Sequence, residues 1–284
     1  MRPYEEFLDY TKLYCWFYMR ISIVNLQRLG AVSVAVACVF LAPATGLSQE
    51  AEPLVTDRPD FTESASTVAP GRFQFELGYT FTRAGDENRH NFGELLARIG
   101  ILSWLEGRLG INSFSVLRDP AADREGLEDL TLAFKSILYR KPEESSAAVP
   151  QVALLFGLDL PTGDEEFGSN EVQPGAKTAA EWDLCDRFVL ATNLGWAYLR
   201  SDGERFHQGV GSLVLGYSIS EPLSAYFEWY GLFPENRGGG SNHYLNTGLA
   251  WRLGPNLQLD WRIGLGLQDL DPNWFTGVGL SFRL

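Results

Sequence analysis

The sequence predicts an all-β chain: a single antiparallel transmembrane β-barrel of about twelve strands. Three observations carry this expectation. From residue 72 to the end the dominant hydrophobic period is two, the signature of strands with unlike faces. The only sustained apolar stretch, residues 29–44, lies before that region. The connections between the alternating runs themselves alternate between short and long, as in bacterial barrels with short periplasmic turns and longer outer loops.

Residues 1–48 read as a leader. LGAVSVAVACVFLAPA (29–44) follows Arg20 and Arg28 and precedes the small residues Gly46 and Ser48. Its apolar centre of roughly a dozen residues is short for a bilayer-spanning helix, and Gln49 and Glu50 follow without a basic cluster, so a secretory signal peptide cleaved after Ser48 is expected. Residues 1–18, with Glu5, Glu6 and Asp9, do not resemble the start of such a peptide, which makes Met19 a candidate initiator. Cys38 is a poor lipid-attachment site because the apolar run continues past it through Val39, Phe40 and Leu41. With Cys15 and Cys38 in the leader, Cys185 stands alone, so the exported chain can form no internal disulfide and must draw its stability from backbone pairing and packing.

Residues 49–71 form a polar amino-terminal segment, broken by Pro59 and Pro70 and too irregular to cross lipid. The barrel is expected over 72–284. In the first strand Phe73, Phe75, Leu77, Tyr79 and Phe81 alternate with Arg72, Gln74, Glu76, Gly78 and Thr80. The pattern returns in Leu130, Leu132 and Phe134 against Asp129, Thr131 and Lys135, and in Leu190, Leu194 and Trp196 against Val189, Asn193 and Gly195. Late in the chain Leu259, Trp261 and Ile263 oppose Asp260, Arg262 and Gly264, and Trp274, Val278 and Leu280 oppose Phe275, Gly279 and Arg283. Runs centred near 77, 97, 110, 132, 155, 179, 193, 213, 227, 248, 262 and 279 allow about 18 residues for each strand with its connection, which suits membrane strands of roughly 9 to 11 residues. Short turns are expected near Ser103, Cys185-Asp186, Ser220-Pro222 and Gly254-Asn256, and longer outer loops at 118–126, 161–175, 200–206 and 234–242. RKPEESSAAVP (140–150) is the exception, a long connection where a periplasmic turn belongs.

A soluble β-sandwich or periplasmic ligand-binding barrel is the rival architecture, with its apolar faces turned inward. Aromatic residues near strand ends, among them Trp104, Trp182, Trp196, Tyr198, Trp229, Trp251 and Trp274, favour membrane interfaces instead. In lipid an unpaired backbone group costs several kcal/mol, so strands cross only when the sheet closes on itself. The polar faces then line the lumen. The expected lumen-lining charges are Arg72, Glu76, Glu94, Arg98, Arg108, Asp129, Lys135, Lys177, Glu181, Glu228, Asp260, Arg262 and Arg283. Any of these bases turned to mid-depth lipid would cost up to about 2 to 4 kcal/mol. The alternating run Trp274–Leu284 resembles the terminal strand read by the outer-membrane barrel-assembly machinery, with Phe282 two residues short of the end.

The 36 acidic residues outnumber 23 basic ones, a formal net charge of −13, so the chain is not expected to bind nucleic acid. The leader carries 4 of the bases and 3 of the acids, which leaves 19 against 33 in the remainder. No cofactor is implied. Asp164, Glu165, Glu166 and Glu171 form the densest acidic loop; without ordered ligand spacing it reads as solvated rather than as a metal site bridging lipopolysaccharide phosphates. His90, His207 and His243 fall in or beside expected outer loops. Ser241 with His243, or His207 with Ser212, are the candidate pairs for a lipid-modifying barrel enzyme, although no orienting acid accompanies either. A structural or adhesive surface protein is the third class.

The segment LVTDRPDFTESASTVAPGRFQFELGYTF (54–81), above all TDRPDFTES, resembles the opening of a family of outer-membrane transporters associated with the meta-cleavage pathway of phenol degradation. The resemblance implies an outer-membrane β-barrel that passes small solutes, with aromatic or hydrophobic compounds as cargo and the outer-membrane lipids as surroundings. It supplies no mechanism. From the residues themselves, the segment is expected to tuck into the periplasmic mouth as a plug or constriction, with Asp57, Arg58, Asp60 and Glu63 pairing with opposite charges on the wall; a solvated tether is the alternative.

Overall fold

The structure is a computed structural model and describes residues 54–284 except 202, 235, 237, 238 and 269–271. The leader and residues 49–53 lie outside the described residues, as do Arg237 and Gly238 of the glycine-rich loop.

Fourteen strand segments follow one another: β1 (Phe73–Ala84), β2 (Glu87–Leu102), β3 (Leu105–Ile111), β4 (Phe114–Arg118), β5 (Arg124–Leu127), β6 (Leu130–Tyr139), β7 (Gln151–Leu160), β8 (Gln173–Cys185), β9 (Phe188–Ser201), β10 (Glu204–Ser218), β11 (Leu223–Phe233), β12 (Asn242–Gly254), β13 (Leu257–Gly266) and β14 (Trp274–Arg283). All pairings are antiparallel between neighbours, and β1 pairs with both β14 and β2, which closes the sheet. Two staves are broken. β2 pairs with β3 and then with β4, while β3 pairs with β6 and β4 with β5. β3 with β4, and β5 with β6, are therefore single crossings interrupted at 112–113 and 128–129, and the barrel has the twelve strands expected, centred where the alternation places them.

Side chains cover the breaks. The Glu128 carboxylate accepts from the Ser113 amide at 3.2 Å and the Ser115 hydroxyl at 2.6 Å, and the Glu128 amide donates to the Ser113 carbonyl at 2.9 Å. The ladder thus lapses only where polar residues can take over its hydrogen bonds.

The two faces of the wall divide as the alternation requires. Leu194, Phe227, Trp251, Leu265 and Val278 point outward with more than half of their surface exposed, whereas Glu76, Glu106, Lys135 and Glu228 on the inner face are fully buried. A protein in water with this distribution would be inside out. Closed in lipid, it satisfies every strand and turns its apolar side chains to acyl chains, the outer-membrane architecture.

The connections depart from expectation at one place. RSDGERF (200–206) is no long loop: β9 and β10 run to Ser201 and from Glu204, leaving only residues 202 and 203 between them. Polar residues there continue the strands beyond the apolar band, which alternation of hydrophobicity cannot register. The long connection at 140–150 is real, joining β6 to β7 on the periplasmic side.

Candidate functional site

Residues 54–68 run inside the barrel and touch the inner wall on almost every side. The chain returns to the wall through a tight turn at the periplasmic rim. Gly71, at φ +74°, donates to the Gly100 carbonyl at 2.8 Å, in a conformation that glycine adopts without cost. Within the lumen Asp57, Arg58, Pro59, Phe61, Thr62, Glu63 and Ser64 of the TDRPDFTES stretch are each hydrogen-bonded to the wall or to one another.

Asp57 is the hub. Its carboxylate lies 3.0 Å from Lys135 Nζ on β6, 2.9 Å from Arg108 Nη1 on β3 and 3.3 Å from Arg98 Nη1 on β2. It also accepts from the Ser64 amide and hydroxyl at 2.9 and 2.8 Å, which ties the ascending and descending limbs of the segment together. Burial alone would push this carboxyl up, but the charges of Arg98, Lys135 and Arg108 outweigh it and hold Asp57 well below the usual carboxylate range. Glu63 completes the arrangement: it pairs with Arg108 at 2.8 Å and Lys177 at 3.2 Å, and against the opposing effect of burial these charges bring its pKa down to about 2.

Arg58 points the other way, toward acids. Its guanidinium lies 2.8 Å from Glu94 and 3.5 Å from Asp260. It rests flat on the wall at Gly78 and Gly279, where a Cβ on either glycine would fall on the arginine side chain itself. Those two glycines form a slot that no other residue would leave open.

Backbone groups of the segment are also paired. The Asp57 and Arg58 amides donate to Glu76, the Phe61 and Thr62 amides to Glu228, and the Val68 amide to Glu106 at 2.7 Å. Asn193 accepts from the Glu63 amide and donates to its carbonyl. Phe61 stacks on Tyr230 with centroids 4.2 Å apart, under the Lys177 ammonium at 5.2 Å. Pro59 offers its carbonyl to Arg262 at 3.2 Å and to the Tyr226 hydroxyl at 3.4 Å. Carboxylates that accept backbone amides in this way fix an irregular chain where water cannot.

Asp60 is the discordant member. Burial and the neighbouring Glu228 charge push its carboxyl well above the usual range. It borders a cavity of about 410 Å³ that opens among the periplasmic turns, where Arg187, Ser220 and Pro222 lie. On the far side of the segment a larger cavity of about 580 Å³ has Glu63, Arg108 and Lys177 at its floor, Leu155, Leu199 and Val210 on its walls, and Asn112, Glu128 and Asp159 toward the outside. Residues 57–63 stand between the two.

The structure brings together Glu76, Glu94, Arg98, Lys135, Glu228, Asp260 and Arg262 around the segment. Three other expected lumen residues are placed differently. Arg72 is exposed ahead of β1 at the rim. Arg283 sits at the periplasmic end, bonded through Nη2 to the Asn256 side chain at 3.0 Å. Asp129 anchors an outer loop, its carboxylate accepting from the amides of Thr162, Gly163 and Ser169 and from the Ser169 hydroxyl. Glu106, fully buried and 2.8 Å from Arg98, escaped the sequence reading although it shares the face of Arg108 two residues on.

The histidines stand beside the outer loops and not within them. His90, His207 and His243 lie on the outer wall, against Tyr79 and Phe92, Trp196 and Tyr198, and Trp229 and Phe233. His207 and Ser212 are five residues apart on β10 and face opposite sides of the sheet, so they form no pair.

Among solved structures, an outer membrane channel from Pseudomonas putida F1 superimposes with a TM-score of 0.62 at 14% identity, over 78% of this chain and 98% of that one. The NanC porin does so at 0.51 and 10% identity, over 75% and 100%. At such identities the likeness is one of fold, an outer-membrane β-barrel. No curated protein matches in sequence. The sequence profile of one family, described as "Putative MetA-pathway of phenol degradation", matches residues 56–284, from the lumenal segment through the last strand, and the chain belongs to that family.

Proposed function

We propose that the protein is an outer-membrane channel for small solutes, with aromatic or hydrophobic compounds as cargo, and that residues 54–68 are its plug or constriction. The observation that carries this reading is the position of Asp57, Arg58 and Glu63, ion-paired to side chains of β2, β3, β6, β8 and β13 and standing between an outer cavity of about 580 Å³ and a periplasmic one of about 410 Å³. A passing solute must displace the segment or thread beside it. The outer cavity suits a small ring compound, since apolar Leu155, Leu199 and Val210 stand beside charged Lys177 and Arg108. The description of the family and the similar Pseudomonas putida channel agree with such a role.

In this proposal residues 1–48, with Met19 as a candidate start, direct export and are removed, 49–71 carry the plug, and 72–284 form the barrel. Amino-terminal sequencing of the exported protein tests the first boundary. Deleting residues 50–66 tests the plug. In planar bilayers the deletion is expected to raise single-channel conductance, and reconstituted liposomes are expected to swell faster in small aromatic solutes. Unchanged conductance would remove the plug from the account, and absence of any solute-dependent swelling would remove the channel.

A further inference from the structure

The β9–β10 hairpin changes character toward its extracellular end. Low on its outward face stand Leu190, Leu194, Leu213 and Leu215, as lipid contact requires. Higher up, the register sets Tyr198 against His207 and Arg200 against Arg205, so two guanidiniums face each other on the lipid side of the wall. Like charges directly opposite on a sheet repel, and such a pair persists where an anion lies between them. One is present. Glu171, in the outer loop before β8, reaches Arg200 Nη1 at 3.3 Å and also contacts Arg205 Nη2. A single carboxylate leaves one positive charge in excess, and Arg200 Nε, buried, has no hydrogen-bond partner.

The aromatic neighbours direct further donors outward. Arg205 lies 4.9 Å over the Tyr198 ring. The Trp196 indole donates to His207 Nδ1 at 3.1 Å, so the neutral imidazole carries its proton on Nε2, and His207 is exposed. Arginine forks and an imidazole N–H above an aromatic shelf are what a phosphate on a membrane surface needs: bidentate charge-assisted donors beside a group at home in the interface.

We propose that this outward face of Trp196, Tyr198, Arg200, Arg205 and His207 is a binding site for a phosphate of lipopolysaccharide in the outer leaflet, with Glu171 as the gate that holds the two arginines in its absence. The inference rests on the outer-membrane placement of the barrel and not on what the lumen conducts.

The test is native mass spectrometry of the refolded full chain in detergent, titrated with lipid A carrying both phosphates and with the same lipid A after dephosphorylation. Wild type is expected to hold one bisphosphorylated lipid A and to bind the dephosphorylated form at least about tenfold more weakly, since each charge-assisted bond lost contributes on the order of a decade. Arg200→Gln with Arg205→Gln should lose the same tenfold, and Glu171→Gln, which removes the competing carboxylate, should bind more tightly than wild type. Equal binding of the two lipids, or no response to any of these substitutions, would overturn the site, as would saturation by inorganic phosphate alone at the same concentrations. Heat-modifiable gel migration of each variant reports that the barrel is folded. Its absence in wild type would strike at the membrane placement instead.

Discussion

Replacing Asp57 with Asn isolates the hub of the lumenal segment. The substitution preserves shape but removes the charge that faces Lys135, Arg108 and Arg98. The three cations are unequally affected. Arg98 keeps Glu76 and Glu106, each at 2.8 Å, and Arg108 keeps Glu63 at 2.8 Å, whereas Lys135 is left with Glu63 at 4.0 Å and the Ser64 carbonyl at 3.0 Å. Lys135 is fully buried. Breaking one side of a buried pair costs about 3 to 5 kcal/mol because the remaining charge is stranded, which would weaken docking of the segment by two to nearly four orders of magnitude, at about 1.4 kcal/mol per decade. In planar bilayers D57N should therefore spend far more time in a high-conductance state than wild type. The double substitution D57N with Lys135→Met removes the stranded ammonium and should restore most of the closed time. Wild-type gating in D57N, or a double variant as open as the single one, would show that the segment is not held by this pair and would refute the electrostatic account of the plug.

Asp60→Asn should act in the opposite direction. Because docking raises the Asp60 pKa, the docked state binds its proton more tightly, and the contribution of this residue is fully favourable only below its undocked pKa, fading as pH rises through the docked one. At neutral pH the neutral Asn is thus expected to close the channel further, measured as a longer closed dwell time. Asp57 and Glu63 have the reverse sign: their lowered pKa values stabilise docking above the ordinary carboxylate range, and that contribution falls away as pH drops toward about 2 for Glu63, read as rising conductance on acidification below pH 4. Gly78→Ala sets a methyl group where the Arg58 guanidinium lies and should give larger conductance without loss of the heat-modifiable barrel, whereas Ala at Gly240, where nothing lies within 4 Å, should change neither. A hydrophobic photolabel dissolved in the bilayer should mark Phe227, Leu194 and Val278 and spare Glu76 and Glu228; the reverse pattern would overturn the orientation of the wall.

The barrel was legible in the sequence because its determinant is local. A period of two assigns a face to every residue, and in lipid the apolar face can turn only one way, so twelve crossings and the inward set around Glu76, Arg98 and Asp260 follow from the alternation. What remained hidden depends on height and register. Alternation says that Arg108 faces inward but not that it stands level with Asp57, since that alignment comes from pairing across β2, β3 and β6. Asp129 shows the same limit: its face is inward, yet its height places it among the amides of 162–169. The ends of strands were misjudged for a related reason. Above the apolar band nothing distinguishes a solvated strand from a loop, so residues 200–206 read as a loop and the histidines on the outer wall as in or beside one.

The arrangement of charges explains why the segment and the wall require each other. On one side of the lumen Arg98, Arg108, Lys135 and Lys177 meet Asp57 and Glu63; toward β13 and the Glu94 position of β2, Asp260 and Glu94 meet Arg58. The segment thus presents acids to the basic wall and a base to the acidic one within two consecutive residues, Asp57 and Arg58. A barrel emptied of it would leave Lys135 and Lys177 without the carboxylates of Asp57 and Glu63 and Asp260 without Arg58, while Arg98 keeps Glu76 and Glu106 and Arg108 keeps Glu106 on the wall. Such a lumen carries a field across its axis, which orients dipolar solutes and opposes purely apolar ones. An aromatic ring bearing a hydroxyl meets both demands, since the ring fits the Leu155, Leu199 and Val210 side of the outer cavity while the polar group faces Lys177 and Arg108. A hydrocarbon without such a group should therefore permeate more slowly than the corresponding phenol in liposomes containing the chain without residues 50–66, and equal rates would show that the transverse charges have no part in selecting the solute.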